Sequence, residues 1–400
     1  MDVSPLSLVA RPFYDRPGIA ALVAALGAGE ARFVGGCVRD ALLGVAVADI
    51  DMATLHRPED VMRLLRAAGI KAVPTGLAHG TVTAVSAGTP VEVTTLRRDV
   101  ATDGRHAVVE FAGEWREDAA RRDFTMNALY ADPATGAVSD WFGGLADLAA
   151  ARVRFIGDPL QRIAEDHLRI LRFFRFHARF GPADQAAIDG AGLAACTARA
   201  NDLMALSRER IAGELLKLLV APQAVPVVAL MVERGILVAV LPEIDAAGAA
   251  RLAALATAEA ASGIPPDAIR RLAALVPAAS AEAVGARLKL SNLQRRRLVA
   301  ASAGPGDEGP LALGYRLGVE GAVDRLLLAG GDVAPLAGWS PPRLPLSGGD
   351  LVARGLGKGP AVAAALRRVE ARWIDEGFPD PARTAQIADE VVAQALVSDA

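Results

Sequence analysis

Asp49 and Asp51 stand two residues apart in Asp49-Ile-Asp-Met-Ala-Thr54, a run that reads as a β-strand. Alternate residues of a strand share a face, so both carboxylates leave one side while Ile50 and Met52 turn to a core. Two carboxylates fixed side by side repel unless a cation lies between them. Mg²⁺ favours oxygen ligands, commonly one or two carboxylates together with substrate phosphates. Upstream, Phe33-Val-Gly-Gly-Cys-Val-Arg-Asp-Ala-Leu-Leu-Gly44 reads as a strand, a Gly-Gly turn and the first turns of a helix. Paired acids beside a glycine turn point to metal-assisted phosphoryl chemistry; a polar edge strand next to a turn would carry the same residues. Glu92 is a carboxylate inside the Val/Thr run Pro90–Leu96, where glutamate has low strand propensity. It reads as a third metal ligand or as a solvated edge residue.

The second informative stretch is 159–180, with Pro159 at a first helical position and Gly181 ending the run. On one helix, Arg162, Asp166, Arg169 and Arg172 fall within about 120° of each other, while Arg175 lies outside that stripe. A solvated face laced with ion pairs fits the pattern. A lone aspartate held among arginines is also what a recognition site needs.

Around these residues the chain reads as α/β to about residue 150, after which strand signals nearly vanish. A short helix covers 18–29, and Pro58 opens another that ends at Gly69. Thr81–Ala87 and Pro90–Leu96 form a hairpin turning at Gly88-Thr89, and Arg97–Glu110 reads as a mobile polar loop. Ser207–Leu219 is an N-capped amphipathic helix in which Arg210 and Glu214 pair. Ala/Leu helices fill 223–330, and Ser291 caps one that bears the basic patch Arg295-Arg-Arg297. The prolines 335, 341, 342 and 345 mark a boundary, and Gly357-Lys-Gly359 is an ordinary helix start. A composition that is 52% hydrophobic and only 4% aromatic suits packing by Ala, Leu and Val. The net charge of −3 makes any nucleic-acid site local. Two distant cysteines, an N-terminus without a basic region, and Leu218–Val232 broken by two prolines predict a cytoplasmic protein that does not cross a membrane. Nothing in the sequence points to a protein partner.

Gly35-Gly-Cys-Val-Arg-Asp40, Asp49-Ile-Asp-Met-Ala-Thr54, Arg121-Arg-Asp-Phe-Thr-Met-Asn127 and Glu165-Asp-His-Leu-Arg169 occur in the order and approximate spacing of one family. Over roughly residues 30–220 the chain resembles the class II tRNA nucleotidyltransferases (CCA-adding enzymes) and the related bacterial poly(A) polymerases. The resemblance implies an α/β nucleotidyltransferase head of polymerase-β-like fold at 1–150. All-α regions would follow: a neck at 151–220, an RNA-binding body at 221–335 and a small tail at 336–400. It implies Mg²⁺ as cofactor, and CTP, ATP and the tRNA 3′ end as partners. Asp49 and Asp51 match the metal-binding acids, and Glu92 matches the third catalytic acid. Gly36, Arg39 and Arg122 match nucleotide contacts, and Asp166, Arg169, Arg172 and Arg175 match the nucleotide-reading set; Arg175 is better read as a phosphate or structural contact.

The implied reaction is attack of the RNA 3′-hydroxyl on the NTP α-phosphate, with two Mg²⁺ ions activating the nucleophile and stabilising pyrophosphate. Cytosine and adenine each present an amino donor beside a ring-nitrogen acceptor, matched by Asp166 and Arg169; guanine and uracil reverse that pattern. Gly76-Leu-Ala-His-Gly-Thr-Val82 looks like the CCA-adding form, and the loop at 97–110 is present, which favours full CCA addition over poly(A), CC-only or A-only addition. A catalytically silent RNA-binding protein is disfavoured by the intact acids. An added metal phosphohydrolase would need histidines, and none follows His177. His56, His79, His106 and His167 read as structural or loop residues.

Overall fold

The computed structural model describes residues 3–7, 13–77, 80–102, 107–182, 184, 187–304 and 306–398. His79, His106 and the centre of the Gly76–Val82 motif therefore lie outside the described residues. The chain divides into two compact units, 1–246 and 247–400; the proline cluster at 335–345 lies inside the second.

The first unit carries strands β1 (Val3–Ser7), β2 (Ala31–Val34), β3 (Asp51–Thr54), β4 (Lys71–Gly76), β5 (Thr81–Ser86), β6 (Thr89–Thr95), β7 (Arg97–Thr102), β8 (Ala107–Phe111), β9 (Tyr130–Ala131) and β10 (Ala137–Ser139). Eight of them form one mixed sheet in the order β1-β10-β9-β2-β3-β6-β5-β4. Its helices are α1 (Ile19–Leu26), α2 (Gly36–Leu42), α3 (Pro58–Ala67), α4 (Trp115–Ala120), α5 (Gly144–Ala149), α6 (Pro159–Glu165), α7 (Arg169–Phe180), α8 (Gly190–Ala198), α9 (Arg208–Leu219) and α10 (Ala224–Glu233). The expected order, an α/β head followed by helices, is what the structure has. The β5–β6 hairpin turns at Ala87-Gly88, both at positive φ (46° and 84°), the mirror-image turn that matches strand twist.

Three local expectations are corrected. Asp49 is not in the strand: β3 begins at Asp51, and Asp49 sits in a bend before it. The 97–110 stretch is mostly a two-stranded hairpin, β7 with β8, leaving only 103–106 outside the described residues. Its charges pair across the strands, Arg98 with Glu110 at 2.7 Å, which offsets their poor strand propensity. The 159–180 run is two helices. Asp166 is extended (φ −152°, ψ 106°), and its carboxylate accepts the Leu168 N–H at 3.1 Å. An aspartate whose side chain bonds nearby backbone competes with the helix ladder, and here it breaks it.

A group of aromatic residues gathers where α7 packs on the Phe124–Phe155 bridge. Phe155 stacks on Phe173 at 5.5 Å, and Phe124 packs on Phe176 at 5.1 Å, all four buried. Rings of this size dominate burial, so they fix the helix bearing Arg172 and Arg175 against the segments that carry Phe124 and Phe155.

The second unit is helical in its described residues: α11 (Ala246–Ala261), α12 (Ala268–Leu275), α13 (Ala281–Arg287), α14 (Asn292–Ser302), α15 (Pro310–Ala329, kinked at Gly318), α16 (Gly348–Ala353), α17 (Pro360–Asp375) and α18 (Pro381–Ser398). Ser291 caps α14 in a box with Gln294, as its position predicts. The Arg295–Arg297 patch is not free, however. Arg297 pairs with Asp324 at 2.6 Å, Asp267 at 3.0 Å and Glu320 at 2.9 Å, and Arg295 pairs with Glu282. Arg270 joins Asp324 to Glu259 within the core, so these cations balance buried carboxylates. Among the described residues no helix is long and apolar enough to cross a membrane.

Gly144, at the start of α5, faces the Thr125 backbone carbonyl so closely that an added Cβ would overlap it. Gly144→Ala is expected to lower stability by about 1–3 kcal/mol, read as a reduced midpoint in urea unfolding with unchanged slope.

Candidate active site

Parallel pairing of β3 with β6 sets Asp51 opposite Glu92, so the two acids lie side by side on adjacent strands. With Asp49 they line a cleft of about 280 Å³ that also takes in Arg16 and Thr83. Ile50 and Met52 turn into the core, as alternation requires. Burial, and then the charges of Glu92 and Asp49, push the Asp51 carboxyl up to about 6 against the opposing pull of Arg122. The cleft is therefore short of positive charge. All its acidic ligand atoms are oxygens, and among the described residues no group of three or more His, Cys, Asp or Glu side chains is placed to hold a metal ion by itself. Such an open carboxylate site fits Mg²⁺, which leaves much of its coordination to water and substrate oxygens.

Arg122 lies against the glycine turn, and its charge is felt at Asp51. Gly35 adopts φ 73°, and a Cβ there would lie 3.2 Å from Arg122 Nη1. Arg122 is aimed by two groups the sequence reading passed over. Its Nε donates to the Tyr130 hydroxyl at 3.0 Å and its Nη2 to Asp118 at 3.2 Å. Asp118 is buried, also accepts from Arg121 at 2.8 Å, the Arg97 N–H at 3.2 Å and Tyr130, and ties the base of the β7 strand to both arginines. Burial would raise its carboxyl, but Arg122, Arg121 and Tyr130 prevail and hold it at about 2.

Asp123 is the next hub. It accepts two hydrogen bonds from Arg172, at 2.8 and 2.6 Å, one from Asn127 at 2.9 Å and one from the Phe124 N–H at 2.8 Å. Burial opposes its ionisation, while Arg172 above all holds it at about 2. Asn127 in turn accepts from Arg39 at 2.5 Å, and Arg39 also bonds Asp40 at 2.8 Å. Arg39, expected as a nucleotide contact, is 6% exposed and lies over the Phe180 ring at 4.3 Å. The structure thus places it as a buried link on α2, the helix that Gly36 opens.

On the helical side the expected reading residues are all held. The Asp166 carboxylate accepts from Arg210 at 3.0 and 2.8 Å and stays partly exposed. Arg210 therefore does not pair with Glu214. Glu214 instead takes Arg175 at 2.5 Å and lies 3.9 Å from Arg172. Arg169 donates to Glu165 at 2.6 Å and to the carbonyls of Arg162 and Arg121 at 2.9 and 3.0 Å. Asp166 and Arg169 thus stand near one helix start but on different partners. The structure gathers Asp49, Asp51 and Glu92 in one cleft, and links Arg39, Arg172 and Arg175 in one chain of ion pairs and hydrogen bonds. Asp118, Asp123, Asn127, Tyr130 and Arg210 were missed as contributors; the Arg121–Asn127 run was the signal for Asp123 and Asn127, and nothing local marked the other three.

Comparison with known proteins bears on this arrangement. Residues 31–154 match the family model of the poly A polymerase head domain, and residues 187–247 match a probable RNA and SrmB-binding site of polymerase A. The mouse mitochondrial CCA tRNA nucleotidyltransferase 1 is 34% identical over 374 residues, 87% of this chain and 84% of that protein. Its human counterpart aligns over a shorter stretch, 46% identical over 194 residues, or 48% of this chain and 44% of the human one. Among solved structures, the Bacillus stearothermophilus CCA-adding enzyme in complex with CTP superposes with a TM-score of 0.70 at 27% identity, covering 94% of this chain and 97% of that one.

Asp51, with its carboxyl raised from 3.8 to about 6, favours the protonated folded state. Without a divalent cation, stability is therefore lost as pH climbs from about 4 to 6 and stays lost above that. Asp51→Asn is expected to raise the melting temperature of the cation-free protein at pH 7.5, by the equivalent of roughly 3 kcal/mol, and to change little at pH 4. Equal shifts at both pH values would contradict this.

Proposed function

Because the chain belongs to the CCA tRNA nucleotidyltransferase family, we propose that it adds CCA to tRNA 3′ ends from CTP and ATP without a nucleic-acid template. The observation that carries this reading is the presence in one compact unit of an open acidic cleft, Asp49, Asp51 and Glu92, and an arginine-bearing helix tied through Asp123 to the Arg121–Asn127 segment. In this reading 1–150 is the head, 151–220 the neck, 221–335 an RNA-binding body and 336–400 the tail. Free, buried Cys37 and Cys196 suit a reducing cytoplasm.

Asp49 and Asp51 would hold Mg²⁺, which supplies, when bound, activation of the primer hydroxyl and charge neutralisation of the departing pyrophosphate. The chain's own task is then to place two substrates. Gly35 and Gly36 let a triphosphate approach the backbone, and Arg122, aimed by Asp118 and Tyr130, offers it a fixed cation. Glu92 stands beside Asp51 and keeps the cleft negative enough to retain cations. Arg172 and Arg175, tied to Asp123 and Glu214, line the path to the helix start with partly neutralised charge.

Base choice falls to Asp166 with Arg169. An ionised carboxylate has about four lone-pair sites, so Asp166 can accept an amino group while Arg210 holds it. Arg169, fixed by Glu165 and two carbonyls, donates to the ring nitrogen beside that amino group. Guanine and uracil would set a carbonyl against the carboxylate and an N–H against the guanidinium, at about 1–3 kcal/mol per mismatched buried group.

The deciding experiment supplies Mg²⁺, CTP and ATP with tRNA ending at the discriminator base, tRNA ending in CC, or an oligo(A) primer. Extension by CCA followed by arrest is expected; long A tails on any RNA would establish poly(A) synthesis instead. Asp49→Ala is expected to abolish incorporation while tRNA binding in a filter assay stays largely intact. Asp166→Ala removes the carboxylate from both the part-exposed Arg210 and the Leu168 N–H, so it should lower the preference for C and A over G and U by roughly 10–100-fold while lowering stability by about 0.5–2 kcal/mol, the cost of a lost helix cap. Unaltered nucleotide preference in the folded variant would remove Asp166 from the reading role.

A further inference from the structure

Asp49 and Asp51 reach the same cleft by different means. Asp51 opens β3 and is locked by pairing with β6, where the Glu92 N–H donates to the Ile50 carbonyl at 3.1 Å. Asp49 sits in a bend, exposed, at the end of the irregular stretch 45–48 that follows α2. A carboxylate on such a stretch gains no orientation from a ladder.

Arg16 supplies what the ladder does not. Its Nη1 donates to the Ala48 carbonyl at 3.1 Å and its Nη2 to the Val47 carbonyl, the two residues immediately before Asp49. The guanidinium lines the acidic cleft with the three carboxylates. Arg16 is itself well seated. It lies in the turn leading to α1, with its N–H on the Phe13 carbonyl at 3.3 Å and its carbonyl accepting from Ile19 at 3.2 Å. Phe13 is buried edge-on against Phe33 of β2 at 4.7 Å, and Gly18, at φ 83°, presses against the Ser86 carbonyl at the end of β5. The turn is therefore pinned to two strands of the same sheet, and a planar fork from that platform grips two successive carbonyls. A lysine has one nitrogen and cannot reproduce that grip.

We propose that Arg16 is a positioning residue for the metal-binding acids. By clamping the Val47 and Ala48 carbonyls it holds Asp49 facing Asp51, so the pair is set for a divalent cation before substrate arrives. This rests on the reading of Asp49 and Asp51 as metal-binding acids. Groups that orient metal ligands without touching the metal typically contribute about 10–100-fold in metal affinity.

The test compares the full-length protein with Arg16→Lys and Arg16→Met. The Mg²⁺ concentration for half-maximal CMP incorporation into tRNA is measured at saturating CTP. The rise in melting temperature on adding Mg²⁺ or Mn²⁺ is measured without nucleotide or RNA. Both variants are expected to need about tenfold more Mg²⁺ and to lose most of the cation-induced thermal shift, while KM for tRNA stays at the wild-type value. A role limited to folding would lower the cation-free melting temperature and leave the Mg²⁺ dependence of the folded fraction unchanged, and that result would overturn the proposal. If Arg16→Met does not fold, Arg16→Lys, which keeps charge and stem, decides. A wild-type protein that fails to incorporate CMP would instead count against the proposed activity, and the thermal-shift comparison would still decide the role of Arg16.

Discussion

A negative charge at Asp123 must be compensated where water cannot reach it, and the arrangement of the first unit follows from how that is done. Its carboxylate takes both Arg172 nitrogens from α7 and the Asn127 amide from the segment before β9. A buried ion left without its partner costs several kcal/mol, so neither the helix nor the 121–127 segment can move without breaking this pair. The aromatic cluster of Phe124, Phe155, Phe173 and Phe176 lies beside it and supplies the apolar burial that the ion pair cannot. Charge ties the helix to that segment, and ring packing holds it.

The same logic extends in both directions. Toward α2, Asn127 receives Arg39, which is buried against Asp40 and Phe180. Toward α9, Arg172 and Arg175 share Glu214. A continuous chain of ion pairs, bridged once by the Asn127 amide, thus runs from the helix after the glycine turn to α7 and α9. Arginine suits this role, because its planar fork bonds two partners at once and stays charged when buried. Residues that resemble nucleotide contacts by position therefore also hold the elements together, and the cleft acids are the part of the site left with their charge unbalanced.

Much of this was legible in the chain. The Asp-x-Asp spacing, the glycine turn, the Thr81–Leu96 hairpin and the shift from strand to helix signal near residue 150 are local patterns, and local patterns survive folding when backbone geometry sets them. The misreadings share one cause. The 97–110 stretch looked like a loop because its residues are polar, yet Arg98 and Glu110 meet across β7 and β8. The 159–180 run looked like one helix because its spacing is helical, yet Asp166 uses its side chain on the backbone. Arg210 and Glu214 looked like a pair at i and i+4, yet Arg210 bonds Asp166 at the break between α6 and α7, and Glu214 takes Arg175 of α7.

By itself, then, the sequence determined which chemical groups exist and their order: two acids two residues apart, a glycine turn, and a run of arginines around a single aspartate. Those follow from covalent spacing and backbone preference, which need no neighbours. Only the tertiary structure decided how the charges are apportioned. Asp51 is left to repel Glu92 in a cleft, Asp123 is neutralised by Arg172, Asp166 is held by Arg210, and Arg16 grips the backbone ahead of Asp49. The reason is that the strength and partner of a charge depend on burial and distance, and both are set by residues tens of positions away in the chain.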